Sequence, residues 1–120
     1  MSSLSSHAKI EFLLEMIEKI EQIIQRHGGI VRALEDFEGQ MALLMGIAQI
    51  GETLKKLDDT LVVEFNLTED RDGAYYTRNY IVHDYEGVDL GVIENLLRIY
   101  LPELKNKLLM IQNTIAKNNS

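Results

Sequence analysis

The sequence has no cysteine, a single proline, and only 12 Lys and Arg residues against 19 Asp and Glu. Without cysteine the chain cannot form disulfides or bind a metal through thiolates, which agrees with a reducing, cytoplasmic compartment. The formal net charge of -7 predicts weak non-specific affinity for long RNA or DNA, because that affinity depends on Lys and Arg neutralising phosphates. A few well-placed cations could still hold one phosphate in a cleft.

Long apolar runs are also missing from the sequence. Its apolar runs are far shorter than the roughly 18 to 20 residues that a membrane span requires. The first six residues have neither the basic nor the apolar region of a secretory signal. We therefore expect a cytoplasmic protein with no membrane partner. At 120 residues the chain can bury one core, so we predict a single domain, residues 1–120, with frayed ends at 1–5 and 117–120.

Apolar residues recur at three- and four-residue intervals along most of the chain, which is typical of amphipathic helices. The sequence thus predicts an all-α fold, an antiparallel bundle of four to five helices. The four main helices are expected at residues 6–27, 30–57, 74–85 and 89–115. Gly28 and Gly29 separate the first two, and Pro102 is expected to bend or divide the last helix near Tyr100.

The second predicted helix contains three glycines, which favour either a close approach of another backbone or a kinked, interrupted helix. Residues 61–65 are rich in β-branched side chains but lack a partner strand, so they are interpreted as the end of this helix or an ordered connection. Residues 68–73 are interpreted as a polar turn. The apolar stripe predicted to be buried in the second helix comprises Val31, Leu34, Phe37, Met41, Leu44, Ile47, Ala48, Ile50 and Leu54. The last helix carries the apolar residues Val92, Ile93, Leu96, Leu97, Tyr100, Leu104, Leu108, Met110 and Ile111.

Residues 77–85, Thr-Arg-Asn-Tyr-Ile-Val-His-Asp-Tyr, gather a cation, an imidazole, phenols, an amide and a carboxylate. On a regular helix Arg78 and His83 lie about 140° apart. A joint site therefore needs a bend, long side chains, or the same helix from a second subunit. A two-fold dimer supplies the last arrangement, because its interface brings the same surface together from both chains.

This combination of residues is suited to RNA cleavage without a metal. Histidine can take a proton from a ribose 2′-hydroxyl or give one to the leaving oxygen. Arginine can hold phosphate oxygens and stabilise the charge that develops at phosphorus. Each residue also has a structural interpretation: Arg78 paired with a carboxylate, His83 as an interface group, and Tyr85 as a helix cap.

The spacing of these residues resembles a known family. Arg78, four residues, His83, one residue and Tyr85 form the motif of the HepT-like HEPN ribonuclease toxins. The segments Ile-Gly-Glu-Thr-Leu-Lys-Lys-Leu at 50–57 and Leu-Pro-Glu-Leu at 101–104 are similar to two further segments of that family, in the same order. The resemblance extends from the first helix to about residue 109. Residues 75–77, Tyr-Tyr-Thr, depart from the Trp and hydrophobic residue of many relatives.

The resemblance implies a metal-independent endoribonuclease at a dimer cleft, acting as the toxin of a toxin–antitoxin system. It implies a homodimer whose partners are RNA and a cognate minimal nucleotidyltransferase antitoxin, with no cofactor. Arg78 and His83 would be the catalytic pair. Tyr85 would be the third motif residue, which in some family systems is adenylylated by the antitoxin. Asn79 would orient the arginine or the substrate, and Asp84 would have a supporting role.

Glu52 is the remaining supporting residue, and we expect it to form a salt bridge or hydrogen bond to the third helix. His7 and His27 are interpreted as structural or solvated. Because the three histidines lie in separate segments without ligand spacing, we predict no metal site. A second hypothesis, from a different class, is a non-catalytic helical dimer that binds a nucleotidyltransferase or another protein.

Overall fold

The structure is a computed structural model that describes residues 2–118, with side chains from residue 6 onward. Residues 1, 119 and 120 lie outside this range, so the fraying predicted for the chain ends stays a prediction. The described residues form helices and turns without any strand, which confirms the all-α prediction. The elements are α1 (Ser2–Arg26), α2 (Ile30–Glu35), α3 (Phe37–Lys55), α4 (Asp59–Glu64), α5 (Thr68–His83), a 3-10 turn (Tyr85–Gly87), α6 (Leu90–Asn95), a π-helical turn (Leu96–Tyr100) and α7 (Leu101–Asn118).

The core lies where α1 packs against both α3 and α7. Its largest fully buried side chains are aliphatic, and burial of each such side chain stabilises the fold by about 1.5–3 kcal/mol. None of the described helices is long and apolar enough to cross a membrane. The fully buried residues are Ile10, Leu13, Ile17, Ile20, Leu43, Leu44, Leu54, Val62, Leu67, Ile93, Leu108 and Ile111.

The second predicted helix is interrupted, so the continuous helix at 30–57 is wrong and the alternative of an interruption is confirmed. Asp36 adopts an extended backbone between α2 and α3 and caps α3 by accepting a hydrogen bond from the Gly39 N–H at 2.9 Å. A Cβ on Gly39 would collide with the carbonyl oxygen of Ala33. Only a glycine therefore permits this sharp change of direction.

The interruption also changes which apolar residues are buried. Leu34, Leu44 and Ile47 are buried as predicted, but Val31, Phe37 and Met41 are exposed. The stripe is not continuous, because α3 restarts after an extended residue and does not keep the register of α2. Of the apolar residues of the last helix, Val92, Tyr100 and Met110 are exposed.

The third helix begins at Thr68 and ends at His83, so the predicted range of 74–85 and the polar turn at 68–73 are wrong. Ion pairs to other elements hold the first turns of α5: Arg71 lies 2.8 Å from Asp59, and Lys107 lies 2.8 Å from Asp70. The segment at 61–65 falls within and just after α4, which makes it an ordered connection between α3 and α5.

The last helix is divided where it was predicted to be. The π-helical turn ends at Tyr100, directly before α7, and Pro102 lies in the first turn of α7. Proline has no N–H to donate and its ring would clash with the carbonyl of Arg98, four residues earlier. A local widening of the helix accommodates both effects.

Candidate active site

The site is built where α5 packs closely on α3. A Cβ on Gly51 would collide with the carbonyl oxygen of Ala74 and would lie 2.8 Å from the Cβ of Arg78. Gly51 therefore lets the backbones of α3 and α5 approach each other at the base of Arg78. The close backbone approach predicted from the glycines is confirmed here, whereas Gly46 faces the side chain of Ile20.

Arg78 is held by neighbours on both helices. Its Nε lies 2.9 Å from Oε1 of Glu52, which confirms the predicted salt bridge between Glu52 and the third helix. Its Nη1 donates a 2.8 Å hydrogen bond to Oδ1 of Asn79. Its guanidinium carbon lies 5.7 Å from the ring centre of Tyr75. With 29% of its side chain exposed, Arg78 is anchored and yet reachable by a ligand.

Arg78 and Glu52 form an ion pair. The contact does not count as a hydrogen bond, since Oε1 of Glu52 is buried and accepts none among the described residues. An exposed pair of this kind is worth little, but partial burial reduces screening by water and salt. The other oxygen, Oε2, lies 4.0 Å from Nζ of Lys56. Glu52 therefore restrains Arg78 without making an aligned, two-bond contact with it.

Two residues near Arg78 were missed as site neighbours. Nζ of Lys55 lies 5.1 Å from the ring centre of Tyr75, the same ring that Arg78 approaches. Because Lys55 reaches Tyr75 while Glu52 reaches Arg78, α3 and α5 run antiparallel. Tyr75 lies one helical turn before Arg78, and Lys55 lies one turn after Glu52. Helical spacing from Arg78 and Glu52 could therefore have identified Tyr75 and Lys55 as neighbours of the site.

His83 is the last residue of α5 and its side chain is exposed. Among the described residues no hydrogen bond or ion pair joins it to Arg78, so a single chain does not bring the predicted catalytic pair into contact. Asp84 ends the helix by donating its N–H to the carbonyl of Tyr80 at 3.0 Å. Asp84, and not Tyr85, is thus the cap residue, and Tyr85 begins the 3-10 turn.

Tyr80 fixes the chain that follows His83. Its hydroxyl oxygen accepts a 2.7 Å hydrogen bond from the N–H of Asp89, nine residues later. This bond ties the end of α5 to the start of α6 and closes the loop that carries Asp84 and Tyr85. The short loop that follows His83 is therefore fixed at both ends. The Asp84 N–H bonds to the Tyr80 carbonyl at its start, and the Asp89 N–H bonds to the Tyr80 hydroxyl at its end.

Exposed apolar side chains lie beside Arg78. Met45 of α3 is 61% exposed and Val82 of α5 is 51% exposed. Met45 precedes Glu52 by two helical turns and Val82 follows Arg78 by one, so in the antiparallel pair both residues lie on the side of the Glu52–Arg78 contact. We call this surface the Met45–Val82 strip. Met41, one turn before Met45, is exposed as well and continues the strip.

A groove of about 790 Å³ lies elsewhere on α5. Its walls come from α3, α5 and the last helix, and they include Ile50, Ala74, Thr77, Leu96 and Leu104. Neither Arg78 nor His83 lines it. This groove and the motif residues are therefore separate features.

The other two histidines lie outside the site. The ring nitrogens of His27 contact the carbonyl oxygen of Ile23 at 2.8 Å and Oδ2 of Asp36 at 3.1 Å. The hydrogen bond to the Ile23 carbonyl, aided by Asp36, raises the pKa of His27. His7 lies 3.9 Å from Glu11. Over the described part of the chain, no group of three His, Asp or Glu side chains is arranged to hold a metal ion.

These features define the class of the protein: an all-α domain that presents an Arg-x4-His-x-Tyr motif at the end of one long helix. Residues 13–111 match the family model described as Ribonuclease HepT-like. Since this match covers most of the chain, the protein belongs to the HepT-like ribonuclease family. No significant match was found among curated proteins or among solved structures.

Proposed function

We propose that this protein is a metal-independent endoribonuclease that cleaves RNA phosphodiester bonds with Arg78 and His83 across a homodimer cleft. The observation that carries the proposal is the presentation of Arg78. Its guanidinium is anchored by Glu52 and Asn79 yet remains partly exposed, in a chain of a ribonuclease family. An arginine held in this way loses little further freedom when it binds phosphate.

The chemistry requires one proton acceptor and one cation. His83 takes the proton from the 2′-hydroxyl, the 2′-oxygen attacks the adjacent phosphorus, and the bond to the 5′-oxygen breaks as that oxygen receives a proton from water. The products are a 2′,3′-cyclic phosphate and a 5′-hydroxyl end. Arg78 stabilises the negative charge that develops on the phosphoryl oxygens.

A homodimer would bring the two groups together. Within one chain Arg78 and His83 diverge around α5, and a two-fold axis near this helix would place His83 of each chain near Arg78 of the other. The Met45–Val82 strip supplies exposed apolar surface beside Arg78, which a second copy would bury. Light scattering should therefore report twice the chain mass at micromolar concentration.

The proposal includes a role as the toxin of a toxin–antitoxin pair with a minimal nucleotidyltransferase as antitoxin. This part rests on family membership. Tyr85 is 42% exposed, and its adenylylation would add bulk and negative charge beside His83 and repel RNA.

Cleavage assays with His83→Ala and Arg78→Ala test the proposal. His83 is exposed and lies outside the buried core, so its removal should reduce turnover by about 10²- to 10⁴-fold while the circular dichroism spectrum is unchanged. Activity of the wild-type protein should survive excess EDTA and yield cyclic phosphate ends. His7→Ala, which changes a histidine on α1, is the matched control and should cleave at the wild-type rate.

The rival hypothesis is a non-catalytic dimer that serves as a binding module. The ion pair between Arg78 and Glu52 favours it, because an arginine occupied by a carboxylate can be structural. If wild-type protein and His83→Ala cleave RNA equally, the activity belongs to other residues and the binding module becomes the better account. If His83→Ala unfolds the protein, His83 is structural and the assignment of the site is wrong.

A further inference from the structure

We infer that Lys55, positioned by Tyr75, binds the RNA phosphate next to the one held by Arg78, so that the site recognises at least two successive phosphates. This inference rests on the proposed ribonuclease function and extends it to the length of the substrate. It assigns a binding role to Lys55 and a positioning role to Tyr75.

A shared aromatic ring holds the two cations near each other. The ring centre of Tyr75 lies 5.1 Å from Nζ of Lys55 and 5.7 Å from the guanidinium carbon of Arg78. A cation within about 6 Å of a ring centre is attracted by the electron-rich face of the ring. Tyr75 thereby offsets part of the repulsion between the two cations without neutralising either, and their charges remain available to a polyanion.

The electrostatic setting of Lys55 differs from that of four other cations in this acidic chain. Arg71, Arg98, Lys105 and Lys107 are each paired with a carboxylate at 3.0 Å or less. No carboxylate among the described side chains lies within 4.0 Å of Nζ of Lys55, which is exposed and contacts the ring of Tyr75.

Among the described residues, Glu52 is the one carboxylate within ion-pair distance of Arg78 and of Lys56. With Lys55, three cations lie along this part of α3 and α5, and Glu52 is in ion-pair contact with two of them. In a chain whose net charge is -7, a local excess of positive charge concentrates attraction for phosphate at one place.

The two cations differ in the kind of contact that each can make. The planar guanidinium of Arg78 suits a phosphate whose charge changes during the reaction, whereas the ammonium of Lys55 acts as a point charge that needs no fixed orientation. Lys55 is therefore suited to a phosphate that stays unchanged. Its contribution should appear in substrate affinity, and only where the substrate extends beyond a single phosphodiester.

The test compares Lys55→Gln with Lys19→Gln on two substrates. Lys19 is an exposed residue of α1, a helix that packs on α3 and α7, so its replacement removes the same charge away from the site. The substrates are a dinucleotide with one phosphodiester and a single-stranded oligoribonucleotide of the same sequence context. KM and kcat are measured for each variant at several salt concentrations.

Lys55→Gln should raise KM for the oligoribonucleotide by roughly threefold to tenfold, with kcat within about twofold of wild type. It should also lower the salt dependence of log KM by about 0.7, the slope expected for one phosphate contact on a single strand. The dinucleotide kinetics should be unchanged, Lys19→Gln should match wild type, and Lys55→Arg should retain affinity. Equal KM values for Lys55→Gln and wild type on the oligoribonucleotide would overturn the inference, as would equal losses on both substrates.

A binding measurement separates this inference from the proposed function. An oligomer with 2′-O-methyl riboses lacks the attacking hydroxyl, so its affinity reports contacts without cleavage. If the wild-type protein does not cleave RNA, the proposed function fails, and weaker binding of this oligomer by Lys55→Gln than by Lys19→Gln would still support the phosphate contact. Equal binding by these two variants contradicts it.

Discussion

Replacement of Gly51 by alanine tests the helix contact on which the position of Arg78 depends. The added methyl group would collide with the backbone carbonyl of Ala74, and a backbone cannot rotate away as a side chain can. Such overpacking costs about 1–3 kcal/mol, and the helical preference of alanine over glycine offsets about 1 kcal/mol of it. We expect the free energy of unfolding to fall by up to about 2 kcal/mol.

Gly73→Ala is the matched control for this substitution. Gly73 lies within α5, and a Cβ there would meet no atom within 4 Å, so the control should gain up to about 1 kcal/mol from helix propensity. Urea unfolding at one protein concentration gives the midpoint and slope for both variants. If Gly51→Ala is as stable as Gly73→Ala, α3 and α5 do not approach as described, and the placement of Arg78 is wrong.

Two further predictions concern the ends of helices. The pKa of His27 is raised chiefly by its hydrogen bond to the Ile23 carbonyl. Protonated His27 therefore stabilises the fold, fully below its ordinary pKa of 6.5, and this stabilisation is lost as pH rises through the pKa of the folded state. The excess free energy of unfolding of wild type over His27→Gln, measured with urea, should therefore shrink from about pH 6 to about pH 8.5. A constant difference would contradict the raised pKa of His27. Tyr80→Phe removes the acceptor of the 2.7 Å bond from Asp89, so we expect a loss of about 0.5–1.5 kcal/mol and faster hydrogen exchange of the Asp89 amide; unchanged exchange would show that this bond does not hold the loop.

The parts of the fold that the sequence predicted well depend on local patterns. The three- and four-residue spacing of Ile10, Leu13, Ile17 and Ile20 is maintained through a single helix, and all four side chains are buried. Pro102 predicted the division of the last helix because its missing N–H acts on its own turn. The spacing of Arg78 and His83 likewise pointed to the family to which the chain belongs.

The errors arose where distant residues decide the structure. The first turns of α5 look polar and turn-like, but they are held by Arg71 with Asp59 and by Lys107 with Asp70, and these pairs are 12 and 37 residues apart in sequence. Local composition contains no sign of such partners.

The relation between Arg78 and His83 could not be resolved at the sequence level for a similar reason. In the proposed dimer it would depend on how α5 packs and on which surface a second copy covers. The Arg78–Glu52 pair could be anticipated because one close helix contact fixes it, whereas the proposed convergence with His83 would require a second chain.

The most direct test of the central claim is complementation between two inactive variants. Arg78→Ala and His83→Ala are each inactive if both groups are needed. If the protein is a dimer with each site shared between chains, unfolding and refolding them together in equal amounts gives mixed dimers in which one of the two sites carries both groups. Half of the dimers are mixed, so we predict recovery of about a quarter of the wild-type cleavage rate. A mixture that forms dimers but remains inactive would contradict a site composed of Arg78 from one chain and His83 from the other.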